Sequence, residues 1–233
     1  MSIFAKFKNN KAITPEARRT KNNDYIKKMG IACYDNLPVI ESSSTVKLKD
    51  LDTICKRAIA SLLSIQVACD IEQNNNYEES KTVMSKLLKA FNVENELLKS
   101  EKKLFDNSYT KQDVRNIVWT YECYWSLIWA LGLIDTNEMI IPNDTCDCQK
   151  AITIVGDCKS YEDFKSKTKL RDIEEILDML DLYYRYHWAC VEKRLKPETN
   201  IGVLDPEVVW ERRRGLEWLI SNIDDWNEIS LDT

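Results

Sequence analysis

The alternation of apolar and polar residues predicts a long helix over residues 171–195. Apolar side chains recur there at steps of three and four, namely Ile173, Ile176, Leu177, Leu180, Tyr184, Trp188, Val191 and Leu195. This spacing places them on one helical face. Acidic residues fill the first half and Lys193 and Arg194 lie near the end, which is the order that the helix dipole favours. The same segment contains Arg185 and the chain's sole histidine, His187, which a purely structural helix does not need.

Two further segments have helical spacing and clear start signals. Thr110, followed three residues later by Asp113, opens a predicted helix that ends at Gly132. Its apolar face is rich in aromatic residues and consists of Val114, Ile117, Val118, Tyr121, Trp125, Ile128 and Trp129. Asp205 and Pro206 begin the last helix with a capping carboxylate and a proline at the first position. We therefore expect three long amphipathic helices around an aromatic core.

The remaining segments predict shorter or less regular elements. Residues 31–48 contain Pro38 and a serine run, so we expect an extended connection with room for a short strand. Gly30 is a natural helix end before it. Further helix starts are predicted at Thr14–Pro15, Asp50 and Asn92, and short helices at Cys148–Val155 and Tyr161–Lys165.

Composition agrees with an all-α protein. The 233 residues include only five Gly and five Pro, too few for a β-protein built from many tight turns. A hydrophobic content of 44% with 30% charged residues is typical of a globular chain. We predict a weakly ordered basic arm over residues 1–13 and a single, irregular multi-helix domain over residues 14–233.

The charge distribution bears on possible partners. The net charge of −5 argues against general nucleic-acid binding, which needs a basic surface. Residues 1–30 nevertheless contain eight Lys or Arg residues and only two acidic ones. We interpret them as a solvated arm and helix face in preference to a contact with nucleic acid or an anionic membrane.

Targeting signals and cysteines bear on the compartment. The first eleven residues, MSIFAKFKNNK, lack the apolar stretch of a secretory signal. The longest apolar region, Val118–Ile134, is interrupted by Glu122, so the sequence does not predict a membrane-spanning helix there. Most of the eight cysteines fall on predicted helices, where a free thiol acts as a small apolar group. We expect a cytoplasmic protein with all cysteines reduced.

Four blocks of the sequence form a recognisable pattern. They run from Arg18 to Pro38, from Trp119 to Gly132, from Leu170 to Ala189 and from Glu211 to Trp226, and include the strings RYHWA and ER followed by WL. Together they resemble the bacterial family named domain of unknown function 4272, over nearly the whole chain after residue 17. The resemblance implies a helical bacterial protein and gives no activity. Trp210 and Gly215 depart from it, where we expect tyrosine and alanine; a helical glycine costs about 1 kcal/mol at an exposed site.

One set of polar residues comes from the three best predicted helices. It consists of Glu122, Arg185, His187 and Glu211. Glu122 lies near an apolar face and needs a cationic partner there, for which Arg185 offers a planar guanidinium. His187 beside a carboxylate has the chemistry of a general base. A buried ion-pair network that only fixes helix packing is the favoured interpretation, because no nucleophile motif accompanies these residues. We predict at least one direct carboxylate–guanidinium contact among them.

Cysteines supply a weaker metal candidate. Cys146, Cys148 and Cys158 lie in one loop region, and a zinc site would combine their thiolates with His187. The spacing is CxC, however, and no second cysteine pair follows, so a loop with free thiols is favoured. We find no nucleotide, calcium or zinc-protease motif and predict no cofactor.

Three classes of function remain open. The first is a cytoplasmic protein that binds a protein partner, as an immunity protein or inhibitor does, without catalysis. The second is a hydrolase-like enzyme that uses Glu122 and His187 in a cleft. The third is nucleic-acid binding through the basic N-terminal segment, which the net charge disfavours. The acidic balance and the lack of catalytic motifs favour the first, and the oligomeric state stays open.

Overall fold

The computed structural model describes residues 13–233, and its regular structure there is entirely helical, so the all-α prediction is confirmed. The predicted arm over residues 1–13 lies, except for its last residue, outside the described part. The α-helices of the described residues are α1 Pro15–Lys28, α2 Leu51–Glu72, α3 Tyr77–Ala90, α4 Lys99–Phe105, α5 Lys111–Trp119, α6 Tyr121–Ala130, α7 Cys148–Gly156, α8 Tyr161–Ser166, α9 Ile173–Leu195 and α10 Pro206–Ile220.

Capping side chains define most of the helix starts. Thr14 accepts a hydrogen bond from the N–H of Ala17, and Asp50 accepts one from the N–H of Thr53 at 2.9 Å. Asp205 likewise caps the first turn of α10. Each cap satisfies a backbone donor that has no partner within the helix. The predicted starts of α1, α2 and α10 are confirmed.

The predicted aromatic helix is broken into α5 and α6 at Thr120. The Thr120 hydroxyl and its backbone N–H both donate to the carbonyl of Ile117, at 2.6 and 3.0 Å. Bonds to the third preceding residue tighten and end a helix, which a prediction from apolar spacing does not detect. The break gives the two pieces different surroundings. All ten residues of α6 are buried, whereas α5 buries only Val114 and Ile117.

The helices pack in a continuous order with α6 inside. α2 packs against α3, α5 and α6. α10 packs against α6, α9 packs on α10, and α1 packs on α9. A single cluster of buried apolar residues runs through this arrangement. None of the helices in the described residues is long and apolar enough to cross a membrane.

The prediction of an aromatic core is not supported. Trp125 and Trp129 are buried, but each directs its indole N–H to the segment after α6 rather than toward other rings. Ring contacts in the described residues are separate pairs, namely Tyr34–Trp188, Tyr77–Tyr109, Tyr183–Tyr186, His187–Trp210 and Trp218–Trp226. The helices face different neighbours, so their aromatic residues are distributed along the core and do not meet at its centre.

Two smaller predictions also need correction. Asn92 follows the end of α3 with a φ of 54° and caps no helix; a short 3₁₀ turn, Glu94–Glu96, comes next, and α4 begins at Lys99. Asparagine tolerates this left-handed conformation, which explains its position at a helix end. Residues 31–48 contain no strand. Gly30, with a φ of 73°, ends α1 as predicted.

The segment from residue 131 to residue 147 has little helix but is held by side chains from three helices. Its backbone carbonyls accept hydrogen bonds from Trp125 of α6, Tyr183 and Tyr186 of α9 and Arg212 of α10. These contacts hold the segment against the middle of α6, α9 and α10. They bring its one cysteine, Cys146, beside Glu122 of α6.

Candidate functional site

Three consecutive arginines on α10 organise the polar contacts of the core. Successive residues of a helix point about 100° apart, so each arginine meets a different neighbour. Arg212 forms an ion pair with Glu122 of α6 at 2.7 Å. Arg213 contacts the ring of His187 on α9, and Arg214 pairs with Glu211, three residues earlier on α10. The predicted candidates are therefore divided among separate partners.

Glu122 is held on both carboxylate oxygens. Arg212 Nε donates to Oε2 and the backbone N–H of Cys146 donates to Oε1, each at 2.7 Å. Only 1% of Glu122 is exposed. Burial alone lowers the pKa of Arg212, but Tyr183 and Glu122 outweigh it and hold the pKa above its ordinary value. Glu122 thus fastens α6 to α10 and to the segment before α7.

Glu211 lies at the same interface in a different environment. Its carboxylate accepts a hydrogen bond from the Cys123 thiol at 3.2 Å and pairs with Arg214, also at 3.2 Å. Burial raises the pKa of Glu211, and Arg214 partly opposes that rise. We call Glu122, Cys123, Glu211, Arg212 and Gly215 the α6–α10 seam.

Arg185 does not meet Glu122 or Glu211, so that predicted contact is wrong. Its partner is Asp181, one turn earlier on α9, which accepts from Nε at 2.9 Å and from Nη2 at 2.6 Å. Asn22 of α1 donates to the same carboxylate at 2.8 Å. Both members of the Asp181–Arg185 pair are fully buried. The acidic residues in the first half of α9 are therefore not all on a solvated face, since Asp178 and Asp181 are both buried.

Two ion pairs join α1 to α9. Arg18, with no exposed surface, donates to Glu174 at 2.6 Å, and Lys21 pairs with Asp178. Burial raises the pKa of Asp178, with Lys21 acting in the opposite direction. The basic face of α1 is therefore partly internal and not simply solvated. We call Arg18, Lys21, Asn22, Glu174, Asp178, Asp181 and Arg185 the α1–α9 seam.

His187 is buried between α9 and α10, with 2% of its surface exposed. Its Nδ1 contacts Arg213, and because a guanidinium only donates, the imidazole is neutral and accepts at Nδ1. Burial, Arg213 and Arg194 lower the pKa of His187 to about 4. Trp210 packs edge-on against the ring at 4.7 Å between centroids. His187 and Glu122 thus have different partners on successive residues of α10, and no direct contact joins them.

These seams lie within a recognised family domain. The sequence model described as "Domain of unknown function (DUF4272)" matches residues 18–229. The chain belongs to this family. Comparisons with curated proteins and with solved structures gave no match. The DUF4272 match begins at Arg18 and includes every residue of both seams.

Gly215 has a packing role in this DUF4272 domain. A Cβ atom at this position would lie 2.7 Å from the carbonyl oxygen of Cys123 and 2.9 Å from the Cβ of Ser126. The residue is buried, so the expectation for an exposed glycine does not apply. The absent side chain lets α10 approach α6 closely, and the Ser126 hydroxyl then reaches the carbonyl of Arg212 at 2.9 Å.

Of the three cysteines proposed as weak zinc ligands, Cys146 and Cys148 are neighbours, and Cys158 has other partners. Cys146 lies beside Glu122, and Cys148 is the first residue of α7. Cys158 instead accepts a hydrogen bond from Lys167 at 3.2 Å. His187 contacts none of them. Within residues 13–233, no group of three or more His, Cys, Asp or Glu side chains is arranged to hold a metal ion, and the eight cysteines are free.

Several important residues were not among the sequence candidates. Arg212, Arg213 and Asp181 supply the partners of Glu122, His187 and Arg185. The spacing of Asp181 and Arg185, four residues apart on a helix, is a readable signal for a contact. The partner of Glu122 has no such local signal.

Proposed function

We propose that this protein works by binding another protein in the bacterial cytoplasm, in the manner of an immunity protein or inhibitor, without catalysis. The candidate catalytic side chains support this proposal because they serve the fold. Both oxygens of Glu122 accept internal hydrogen bonds, and His187 is almost fully covered. A general base has to come within about 3 Å of the substrate atom that carries the proton. Neither Glu122 nor His187 is accessible for such a contact.

The observation that carries the proposal is an acidic segment along the surface after α10. Residues 221–233 contain four acidic side chains and no Lys or Arg. Trp226 and Leu231 are buried and anchor the segment. Asp224 and Glu228 are exposed and lie 4.0 and 3.9 Å from Lys49 and Lys99, so four acids against two lysines leave the segment with a net negative charge. Ile223 adds an apolar side chain that is 36% exposed. A fixed acidic surface with an apolar contact suits a basic protein partner, because electrostatic attraction accelerates and orients the encounter.

The test uses the products of neighbouring genes as candidate partners. Each is co-expressed with this chain, and affinity is measured by calorimetry at low and high salt. We expect one basic product to bind, with affinity that falls as salt rises. Asp224→Asn with Glu228→Gln should weaken binding about tenfold or more, since rim charges steer association.

A matched control variant replaces acids elsewhere on the surface. Glu78→Gln with Glu79→Gln removes two negative charges as well, but from α3 and not from the segment after α10. Equal weakening by both variants would show that net charge, and not the segment after α10, governs binding. The alternative function predicts another outcome: no neighbouring product binds, and a hydrolase screen detects an activity that His187→Gln abolishes.

A further inference from the structure

Two thiols of different character meet at the start of α7. Cys148 is exposed, whereas Cys146 is buried, with 7% of its surface accessible. The Sγ of Cys148 turns back over the preceding residues and lies 3.6 Å from the carbonyl oxygen of Cys146. The exposed thiol and the buried thiol are therefore already adjacent.

The exposed thiol is the more acidic of the two. The neighbouring Cys146 side chain lowers the pKa of Cys148, against the effect of burial. The Cys148 side chain, together with burial, raises the pKa of Cys146 and favours its protonated form. Cys148 is also the first residue of nine-residue α7, where the helix dipole favours a negative charge.

Several other cysteines are less acidic than Cys148. Burial raises the pKa to about 11 for Cys55 and Cys69 and to about 12 for Cys190. Since the thiolate is the nucleophile, these residues react slowly at neutral pH. An accessible thiolate beside a second, protonated thiol is the arrangement typical of redox-sensing cysteines.

We propose that Cys146 and Cys148 form a peroxide-sensitive dithiol, in which Cys148 is the attacking thiolate and Cys146 the resolving thiol. The Cys148 thiolate attacks one oxygen of hydrogen peroxide, the O–O bond breaks, and the products are a sulfenic acid and hydroxide. The Cys146 thiol then attacks the Cys148 sulfur, and the S–O bond breaks. An S–S bond forms and the thiol proton leaves with the hydroxyl as water. The two sulfurs are oxidised by two electrons in total, and the peroxide is reduced.

This dithiol is connected to the packing of the helices. The backbone N–H of Cys146 holds Glu122, and Arg212 donates to the carbonyl of Asp144 just before it. Closing a ring between Cys146 and Cys148 moves the backbone that makes these contacts. Oxidation therefore acts on the α6–α10 seam and changes the stability of the fold as well as the chemistry of the loop.

The experiment treats the reduced full-length protein with equimolar hydrogen peroxide and counts free thiols over time. We expect the count to fall by two, with a mass loss of two hydrogens in the peptide that contains both cysteines. The reaction should be at least about tenfold faster than at the remaining thiols, and a dithiol reductant should reverse it. Oxidised and reduced wild-type protein should differ in melting temperature.

Variants separate the two roles. Cys148→Ser, at an exposed position, should abolish the rapid loss of thiols, whereas the control Cys33→Ser should retain it. Cys146→Ser should leave a sulfenic acid at Cys148 that a dimedone probe captures. Rapid loss of two thiols in Cys148→Ser would overturn the proposal. So would a disulfide-linked dimer in place of the internal bridge, or direct conversion of wild-type Cys148 to sulfinic acid.

Discussion

The α6–α10 seam and the α1–α9 seam both bury charges between helices, but they are built differently. At the α6–α10 seam, Gly215 allows close backbone approach, and the ion pair between Glu122 and Arg212 joins the helices directly. At the α1–α9 seam, long side chains bridge the helices along their length, and the pair of Asp181 and Arg185 lies within α9. The packing of the α6–α10 seam depends both on the small volume of Gly215 and on the ion pair, whereas the α1–α9 seam depends mainly on charged side chains.

The two seams also differ in whether their buried polar atoms all have hydrogen-bond partners. Each oxygen of Glu122 has a donor. At the other seam, Nη1 of Arg185, Nε of Arg18 and Oδ1 of Asp178 have no hydrogen-bond partner among the described residues. Buried polar atoms without partners reduce what an ion pair contributes to stability. Replacing both charged members of a pair by apolar residues should therefore be tolerated better at the α1–α9 seam.

The largest expected effects come from removing one member of a buried pair. Arg212→Ala and Arg185→Ala each leave a carboxylate buried without its cation, and each should lower the free energy of unfolding by about 3–5 kcal/mol. Urea unfolding followed by circular dichroism measures this. Lys99→Ala, which removes an exposed pair with Glu228, is the control and should leave the midpoint unchanged. A neutral Arg185→Ala would show that the α1–α9 seam does not stabilise the fold.

The next largest effect on stability is expected when side-chain volume is added at Gly215, and it applies to the α6–α10 seam only. Gly215→Ala should destabilise by about 2–3 kcal/mol, because the new Cβ would press on the backbone of α6. Gly156→Ala is a matched control, since no atom lies within 4 Å of the Cβ position there. It should be neutral or slightly stabilising. Equal melting temperatures for the two variants would contradict the close α6–α10 contact.

The smallest predicted effect concerns pH. His187 has a pKa of about 4 in the folded protein, below its ordinary value of 6.5, so the unfolded chain binds its proton first as pH falls. Its contribution to stability is complete above pH 6.5 and decreases toward pH 4. Between pH 7 and pH 5, wild type should lose about 2 kcal/mol more than His187→Gln. At pH 7 the substitution itself should cost less than about 1 kcal/mol, because glutamine keeps a hydrogen-bonding side chain.

Unfolding curves of both proteins at the two pH values provide the measurement. The carboxylates of the seams are the same in both proteins, so their titration cancels in the difference. A parallel loss of stability in wild type and variant would mean that His187 is protonated in the folded state.

Local features of the fold were predictable, and long-range contacts were not. Thr14, Asp50 and Asp205 cap helices with side chains that act within three residues, so the sequence pattern contains the information. Gly30 and Gly132 both adopt a φ of 73° at helix ends, as expected. These signals need no knowledge of the tertiary structure.

The candidate site was predicted less well, because its partners depend on how helices are rotated against one another. Glu122 was correctly expected to need a buried cation, but the choice between Arg185 and Arg212 depends on packing. The role of Gly215 depends on the distance between two helix backbones. Neither quantity follows from spacing along one helix.

The segment between α6 and α7 illustrates how contacts, more than regular structure, set local stability. Side chains from α6, α9 and α10 hold its carbonyls, and Glu122 holds the N–H of Cys146. Opening this segment would remove partners from three buried helices at once. We therefore expect residues 138–146 to resist proteolytic nicking and to exchange the Cys146 amide hydrogen only when the whole domain unfolds.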